Sequence, residues 1–196
     1  GTIRIDGKPV TIDGPATARD ANVGMALIPE DRKTEGLMLP MTVRENLSFA
    51  ALDRLTNAGI IDSARENGLI DKMVKLLAIK AGNVDVAVGT LSGGNQQKVV
   101  LAKWLMRDPR IILLNDPTRG IDVGTKQEIY QLLRNLADQG AAILFYSTDY
   151  AELIGCCDRV LVLYDGAIVN ELSGEHITEH ALVASALNVH SADAAA

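Results

Sequence analysis

Three short stretches carry residue types suited to handling phosphate. Leu91-Ser92-Gly93-Gly94-Asn95-Gln96-Gln97-Lys98 sets a hydroxyl and two backbones without side chains just ahead of an apolar, helix-forming run. Serine is a preferred helix N-cap, glycine lets another molecule come close to the amides, and the first turn of a helix carries the positive end of its dipole. An anion can be held there. An ordinary capped helix after a glycine turn has the same local pattern, so the stretch gains weight only from its company. Ile111-Ile112-Leu113-Leu114 runs unbroken into Asn115-Asp116-Pro117-Thr118, which reads as a buried parallel strand delivering polar groups at its C-terminal end. Ligands of open α/β sheets collect at such ends. A second strand, Ala141 to Tyr146, ends in Ser147-Thr148-Asp149.

The elements that must position these groups are legible from their periodicity. A helix runs from the serine cap through Val99, Val100, Ala102, Lys103, Trp104 and Leu105 to a stop at Asp108-Pro109. Another spans Gly124 to Gly140, with Ile129, Leu132, Leu133 and Leu136 on one face. Residues before Val10, alternating around Asp6-Gly7, read as a β-hairpin, and Gly24 to Pro29 reads as a strand. Val43 to Leu55 and Ser63 to Leu77 carry helical spacing and predict a helical subdomain ahead of the serine-glycine stretch. Ala151 to Gly155 predicts a short helix, Arg159 to Val169 two strands around Asp165-Gly166, and His180 to Leu187 a last helix.

The bulk numbers narrow the class. With 196 residues the chain is one domain's worth, and 25 acidic against 19 basic residues, net −6, leave no basic footprint for nucleic acid. No apolar run approaches the roughly 18 residues of a membrane span, and the first residues lack a charged-then-apolar signal layout. A soluble chain in a reducing cytoplasm is expected. The two cysteines, Cys156 and Cys157, are adjacent, which suits small buried apolar residues better than a staple or a metal site. His176, His180 and His190 share no ligand spacing and read as surface residues, and Trp104 reads as packed core.

Taken in order, Leu91 to Gln97, Ile111 to Asp116, Arg119-Gly120-Ile121-Asp122 and Ser147-Thr148-Asp149 resemble the signature, the Walker B strand, the D-loop and the switch region of ABC transporter ATPases. Glu30-Asp31-Arg32-Lys33 followed by Glu35-Gly36-Leu37, with Met41 to Leu47, resembles more narrowly the second ATPase half of the tandem ATPases that power bacterial monosaccharide importers of the ribose, galactose, xylose and arabinose types. The resemblance implies an α/β fold: a mainly parallel sheet flanked by helices, an N-terminal hairpin belonging to an antiparallel subdomain, and a helical signature subdomain over about 43–107. It implies a single domain over 1–190, and the low-complexity run of 191–196 reads as a frayed tail.

The same resemblance assigns roles. Ser92, Gly93, Gly94, Asn95 and Gln96 would meet the γ-phosphate of ATP seated on a partner, either the N-terminal ATPase half of the same protein or a second copy. Asp122 and Glu30 belong to the nucleotide-sensing loops, Glu30 standing where most members have glutamine. Asn115 stands at the family's Mg²⁺-anchoring aspartate and offers the metal no charge. Asp116 stands at the catalytic glutamate, its carboxylate one methylene, roughly 1.5 Å, further back, and Thr148 replaces the switch histidine without being able to carry a proton at neutral pH. Asn115 and Asp116 acting merely as a strand-end cap remains the competing reading.

The lysine-bearing phosphate loop, G-x-x-x-x-G-K-[ST], occurs nowhere in the 196 residues, so the chain is read as beginning after that loop and is expected not to hydrolyse ATP by itself. Permease subunits, and through them a periplasmic sugar-binding protein, are the implied partners at the inner face of the membrane. Leu37 to Met41 is either a permease contact or core. A non-transporting ABC module and an inactive scaffold of the same fold are the rival functions.

Overall fold

A computed structural model describes residues 1–20 and 22–188. His190 and the tail expected over 191–196 lie outside the described residues. Two compact units emerge, divided after Tyr146.

In the first unit, β1 (Ile3–Ile5) and β2 (Lys8–Val10) pair antiparallel. Asp6 and Gly7 both take positive φ, 51° and 75°, the backbone that a two-residue hairpin turn requires. The short α1 (Pro15–Arg19) leads to β3 (Met25–Ile28), and Asp31 then caps a π-helical turn over Arg32–Gly36. Thr42 and Glu45 close a reciprocal capping box at the head of α2 (Val43–Phe49), with Glu45 N–H donating to Thr42 Oγ1 at 3.1 Å and Thr42 N–H to Glu45 Oε2 at 2.7 Å. The helix expected over 43–55 breaks at Ala51, which leaves helical geometry (φ −118°, ψ 18°) before α3 (Leu52–Leu55). Leu47, Ala51 and Leu55, spaced four apart, are all buried in the core. A small hairpin follows that the sequence reading did not anticipate, β4 (Thr56–Asn57) against β5 (Ile60–Ile61), with Ala58 and Gly59 at positive φ.

Asp62 caps α4 (Ser63–Leu76), and Ser92 caps α5 (Gly93–Leu105). The strand β6 (Ile111–Asn115) then leads to α6 (Val123–Asp138), capped by Asp122, and to β7 (Ala142–Tyr146). Strands β3, β6 and β7 form a parallel sheet in that order, in a register that places Leu27, Leu113 and Leu144 side by side, and Ile28, Leu114 and Phe145 one residue on. Because side chains alternate, the two rows face opposite ways. The second row joins Val43, Leu47, Val99, Val100, Ile129 and Leu133 in one core beneath the helices. The first row is open to solvent, with Leu27 53%, Leu144 64% and Tyr146 58% exposed. A parallel sheet ordinarily has both faces covered, so this bare apolar face is an unusual surface. Leu37 is buried and Leu39 packs against the core, which resolves the open reading of that segment for those two residues toward core.

The second unit is described by itself. It holds α7 (Tyr150–Cys156), the antiparallel pair β8 (Arg159–Tyr164) and β9 (Ala167–Ser173) around the expected Asp165-Gly166 turn, and α8 (Glu179–Ala186). Its small core is Val160, Val162, Leu172, Ile177 and Leu182. Cys156 and Cys157 are half-buried rather than buried, Trp104 is half-buried against the main core, and His176 and His180 are exposed.

Candidate functional site

The start of α5 is where the structure gathers most of the sequence's candidate residues. Ser92 is exposed, and its Oγ accepts from Asn95 N–H at 3.4 Å and from Asn95 Nδ2 at 2.9 Å. Asn95 in turn accepts from Lys80 N–H at 2.8 Å, so the cap is braced from outside its own helix. The amides of Gly93 and Gly94 find no acceptor among the described residues. Two donors thus sit at the positive end of a 13-residue helix, next to an exposed hydroxyl.

The two glycines are also required by this chain's own packing. A Cβ on Gly94 would stand 2.6 Å from Thr125 Oγ1 and 3.2 Å from Asp122 Oδ2, and one on Gly93 would stand 2.8 Å from Arg32 Nη2. The signature therefore lies directly against the D-loop, which brings Asp122 to it. Asp122 is fixed by Thr125, whose N–H and Oγ1 donate to its two carboxylate oxygens at 3.0 and 2.8 Å. The Thr125 amide first, and then its hydroxyl, hold the Asp122 carboxyl below its ordinary 3.8.

A carboxyl with a lowered folded pKa contributes stability that is present above the unfolded value and is lost as pH falls through the folded one. The cap of α6 is therefore expected to persist through pH 3.8 and to loosen below it. Thr125→Val keeps the amide and removes the hydroxyl, so the Asp122 midpoint in a carboxyl NMR titration should move up toward 3.8. A midpoint that stays where it was would show that the hydroxyl does not matter.

Gln96 is turned away from this surface. It is buried, with Nε2 donating to Leu91 O at 3.0 Å and Gly89 O at 3.4 Å, which ties down the chain ahead of the cap. Glu30 sits half-buried beside the π turn and is ion-paired to Arg119 of the loop after β6. With Asp31, Arg32 and Lys33 these two line a cavity of about 370 Å³. From sequence, Arg32 and Arg119 stand only as members of their motifs, without roles, and Thr125 is not singled out; its signal is its place as the third residue of a helix capped by aspartate.

At the end of β6, Asn115 is exposed on the bare face of the sheet, and Asp116 is buried with φ 44°, its N–H donating to Tyr146 O at 2.9 Å. A left-handed aspartate is tolerated, and here it turns the chain sharply from strand to D-loop. The donors here are one neutral amide and one carboxylate, and no cluster of three His, Cys, Asp or Glu side chains occurs among the described residues. This set does not make a Mg²⁺ site by itself. Thr148 belongs to the second unit, exposed beside Ser147, whose Oγ donates to buried Glu152 at 2.7 Å.

A parallel sheet whose strand β6 runs into a D-loop lying against a glycine-lined helix start defines a class, and the family's sequence profile agrees. The chain belongs to the ABC transporter family, whose profile matches residues 1–119. It is 77% identical over 190 residues to a ribose import ATP-binding protein, RbsA 1, of Mesorhizobium japonicum, covering 97% of this chain and 37% of that protein. A protein of the same name from Rhizobium johnstonii is 69% identical over 96% of this chain, and one named RbsA from Geobacillus kaustophilus is 45% identical over 95%. The chain spans 37% of the length of each of these relatives.

Among solved structures, a nucleotide-free ATP-binding cassette from an ABC transporter superposes with a TM-score of 0.76 at 22% identity, over 93% of this chain and 73% of that one. A dimeric cassette bound to ADP and Pi superposes with a TM-score of 0.71 at 21% identity, over 86% and 71%. These two likenesses establish the fold. No helix among the described residues is long and apolar enough to cross a membrane.

Proposed function

We propose that this chain is the part following the phosphate loop in the C-terminal ATPase half of a bacterial monosaccharide importer's ATP-binding protein, and that it presents its signature to ATP held by a partner ATPase half. The observation that carries this reading is the exposed Ser92 hydroxyl beside the unbonded amides of Gly93 and Gly94. Donors fixed in advance where charge grows on a transferring phosphoryl group stabilise that charge without reorganising at the moment of reaction. The partner half supplies the phosphate loop and carries the nucleotide with its Mg²⁺. Ser92, Gly93 and Gly94 bind and orient the terminal phosphate, and Asn95 holds the serine. Asp122 keeps the D-loop against the signature.

Thr148 stands at the family's switch position, and the chain's own Asn115 and Asp116 form a weakened half-site. Asp116 is the general base this chain has to offer there, placed further from its water than a glutamate would be. In the longer protein the segment bearing the phosphate loop covers the bare face of the sheet at Leu27, Leu144 and Tyr146. Residues 1–190 then form one ATPase domain with 43–107 as its helical subdomain. The exposed Phe49 and Leu52 of that subdomain face the permease, and the protein works at the cytoplasmic side of the membrane with a periplasmic sugar-binding protein on the other. The net charge of −6 leaves no basic footprint for nucleic acid.

Ser92→Ala in the full-length protein, assembled with its permease, tests the reading. Loss of a hydroxyl donor to the phosphate should slow ATP turnover about tenfold and sugar uptake with it, by about 1.4 kcal/mol of transition-state binding. Unchanged turnover and uptake would instead mark the chain as a scaffold.

A further inference from the structure

Arg32 stands 61 positions before Gly93 and 87 before Arg119 in sequence, yet its guanidinium lies between them. Nη1 donates to the Arg119 carbonyl at 3.2 Å. Nη2 occupies the space beside Gly93, 2.8 Å from where a Cβ would be, so an alanine at 93 and this pose of Arg32 exclude each other. Nε is buried and has no hydrogen-bond partner. An unbonded buried donor costs free energy, so packing around the guanidinium must hold it in that pose.

The other end of the same π turn is fastened to the same helix. Gly36 approaches α5 so closely that a Cβ there would lie 2.9 Å from Val100 Cγ2, and buried Lys103 donates from Nζ to Gly36 O at 2.9 Å. The turn is thus anchored on the body of α5 while Arg32 reaches its first residue. Glu30, just ahead of the turn, holds the Arg119 side chain. Three stretches distant in sequence are joined through one side chain: the Glu30 loop, the signature start and the D-loop. π turns are over-represented where such special geometry is needed.

From this geometry we infer that Arg32 is a positioning residue for the signature, setting where the Gly93 amide stands relative to the D-loop without itself touching nucleotide. The inference rests on the proposed role of the signature as a phosphate donor. Its consequence is kinetic. A reacting or donating group displaced by about 1 Å can cost about 10²-fold in rate, and freeing one wall of the signature turn should give part of that. Lysine preserves the charge and can reach the Arg119 carbonyl, but it lacks the planar fork that also fills the space at Gly93.

The test is steady-state ATP turnover by the full-length protein with its permease, comparing wild type with Arg32→Ala, Arg32→Lys, Ser92→Ala, Gly93→Ala and the Arg32→Ala/Gly93→Ala pair. Arg32→Ala should lower kcat about tenfold while KM for ATP stays within about twofold, since the lost interaction acts on positioning rather than on nucleotide binding. Arg32→Lys should fall between Arg32→Ala and wild type. Because alanine at 93 already expels the guanidinium, the double variant should turn over no more slowly than Gly93→Ala alone.

Additive losses in that pair overturn the inference, as does a rise in KM with kcat unchanged. If Arg32→Ala does not fold, Arg32→Lys decides it, and a wild-type rate there shows that charge alone suffices and the positioning role is lost. Arg32→Ala at the wild-type rate beside a slowed Ser92→Ala overturns the Arg32 role and leaves the signature reading standing. Ser92→Ala at the wild-type rate removes the signature reading, and the inference with it.

Discussion

Gly94→Ala in the full-length protein is expected to reduce ATP turnover by 10²-fold or more while leaving the fold intact. The loss has two sources that add. A methyl at 94 meets Thr125 Oγ1 at 2.6 Å, its Cγ2 at 3.1 Å and Asp122 Oδ2 at 3.2 Å, so the D-loop must give way by several tenths of an ångström. The yielding group is a β-branched side chain engaged at both its amide and its hydroxyl with Asp122, which makes it a stiff neighbour. Moving the D-loop also turns the amides at the head of α5 off their target, and losing one such donor typically costs about 10²- to 10³-fold in rate. Thr125→Ala on top of Gly94→Ala removes the two nearest of these three atoms and should recover part of the lost rate. Recovery measured as kcat separates packing inside the chain from crowding of the phosphate, and a Gly94→Ala protein working within twofold of wild type would mean that the signature does not approach a ligand at all.

Asn46→Ala is expected to be among the most destabilising single changes in the first unit. Asn46 is fully buried, and its amide is consumed by backbone: Oδ1 accepts from Met38 N–H at 2.8 Å, and Nδ2 donates to Met38 O at 3.0 Å, Thr42 O at 2.9 Å and Met41 O at 3.4 Å. The carbonyls of Met38, Met41 and Thr42 also accept backbone bonds, from Met41, Val88 and Asn46 N–H, whereas the Met38 N–H has Asn46 as its partner. Truncation therefore leaves one backbone donor unpaired and takes a second bond from three carbonyls, so a loss of about 1–3 kcal/mol is expected. For a chain of this size that is roughly 2–12 °C in Tm. Asn46→Asp should be no better than alanine, because it keeps the acceptor for Met38 N–H and turns a second oxygen toward three carbonyls. A melting shift below about 2 °C for Asn46→Ala would show that water or a backbone adjustment satisfies these groups.

The sequence by itself determined the local architecture of this protein and singled out the serine-glycine turn proposed to meet phosphate. Asp6-Gly7 and Asp165-Gly166 supply the positive-φ turns of two hairpins, Thr42 with Glu45, Ser92 and Asp122 supply helix starts, and Ile111 to Leu114 reads as a strand. Each of these signals is complete within a few residues, because caps, turns and periodicity depend on neighbours along the chain.

Tertiary structure alone decided how those pieces meet. It turned Gln96 inward, buried Asp116 while exposing Asn115, placed Arg32 against Gly93 and Arg119, and left one apolar face of the parallel sheet open at Leu27, Leu144 and Tyr146. It also gave the two signature glycines a second reason to be glycine, their contact with Arg32, Asp122 and Thr125. The physical reason is range. A hydrogen bond across 87 residues or a missing Cβ opposite a distant threonine is fixed by the packing of whole elements, and no window of local sequence contains both partners.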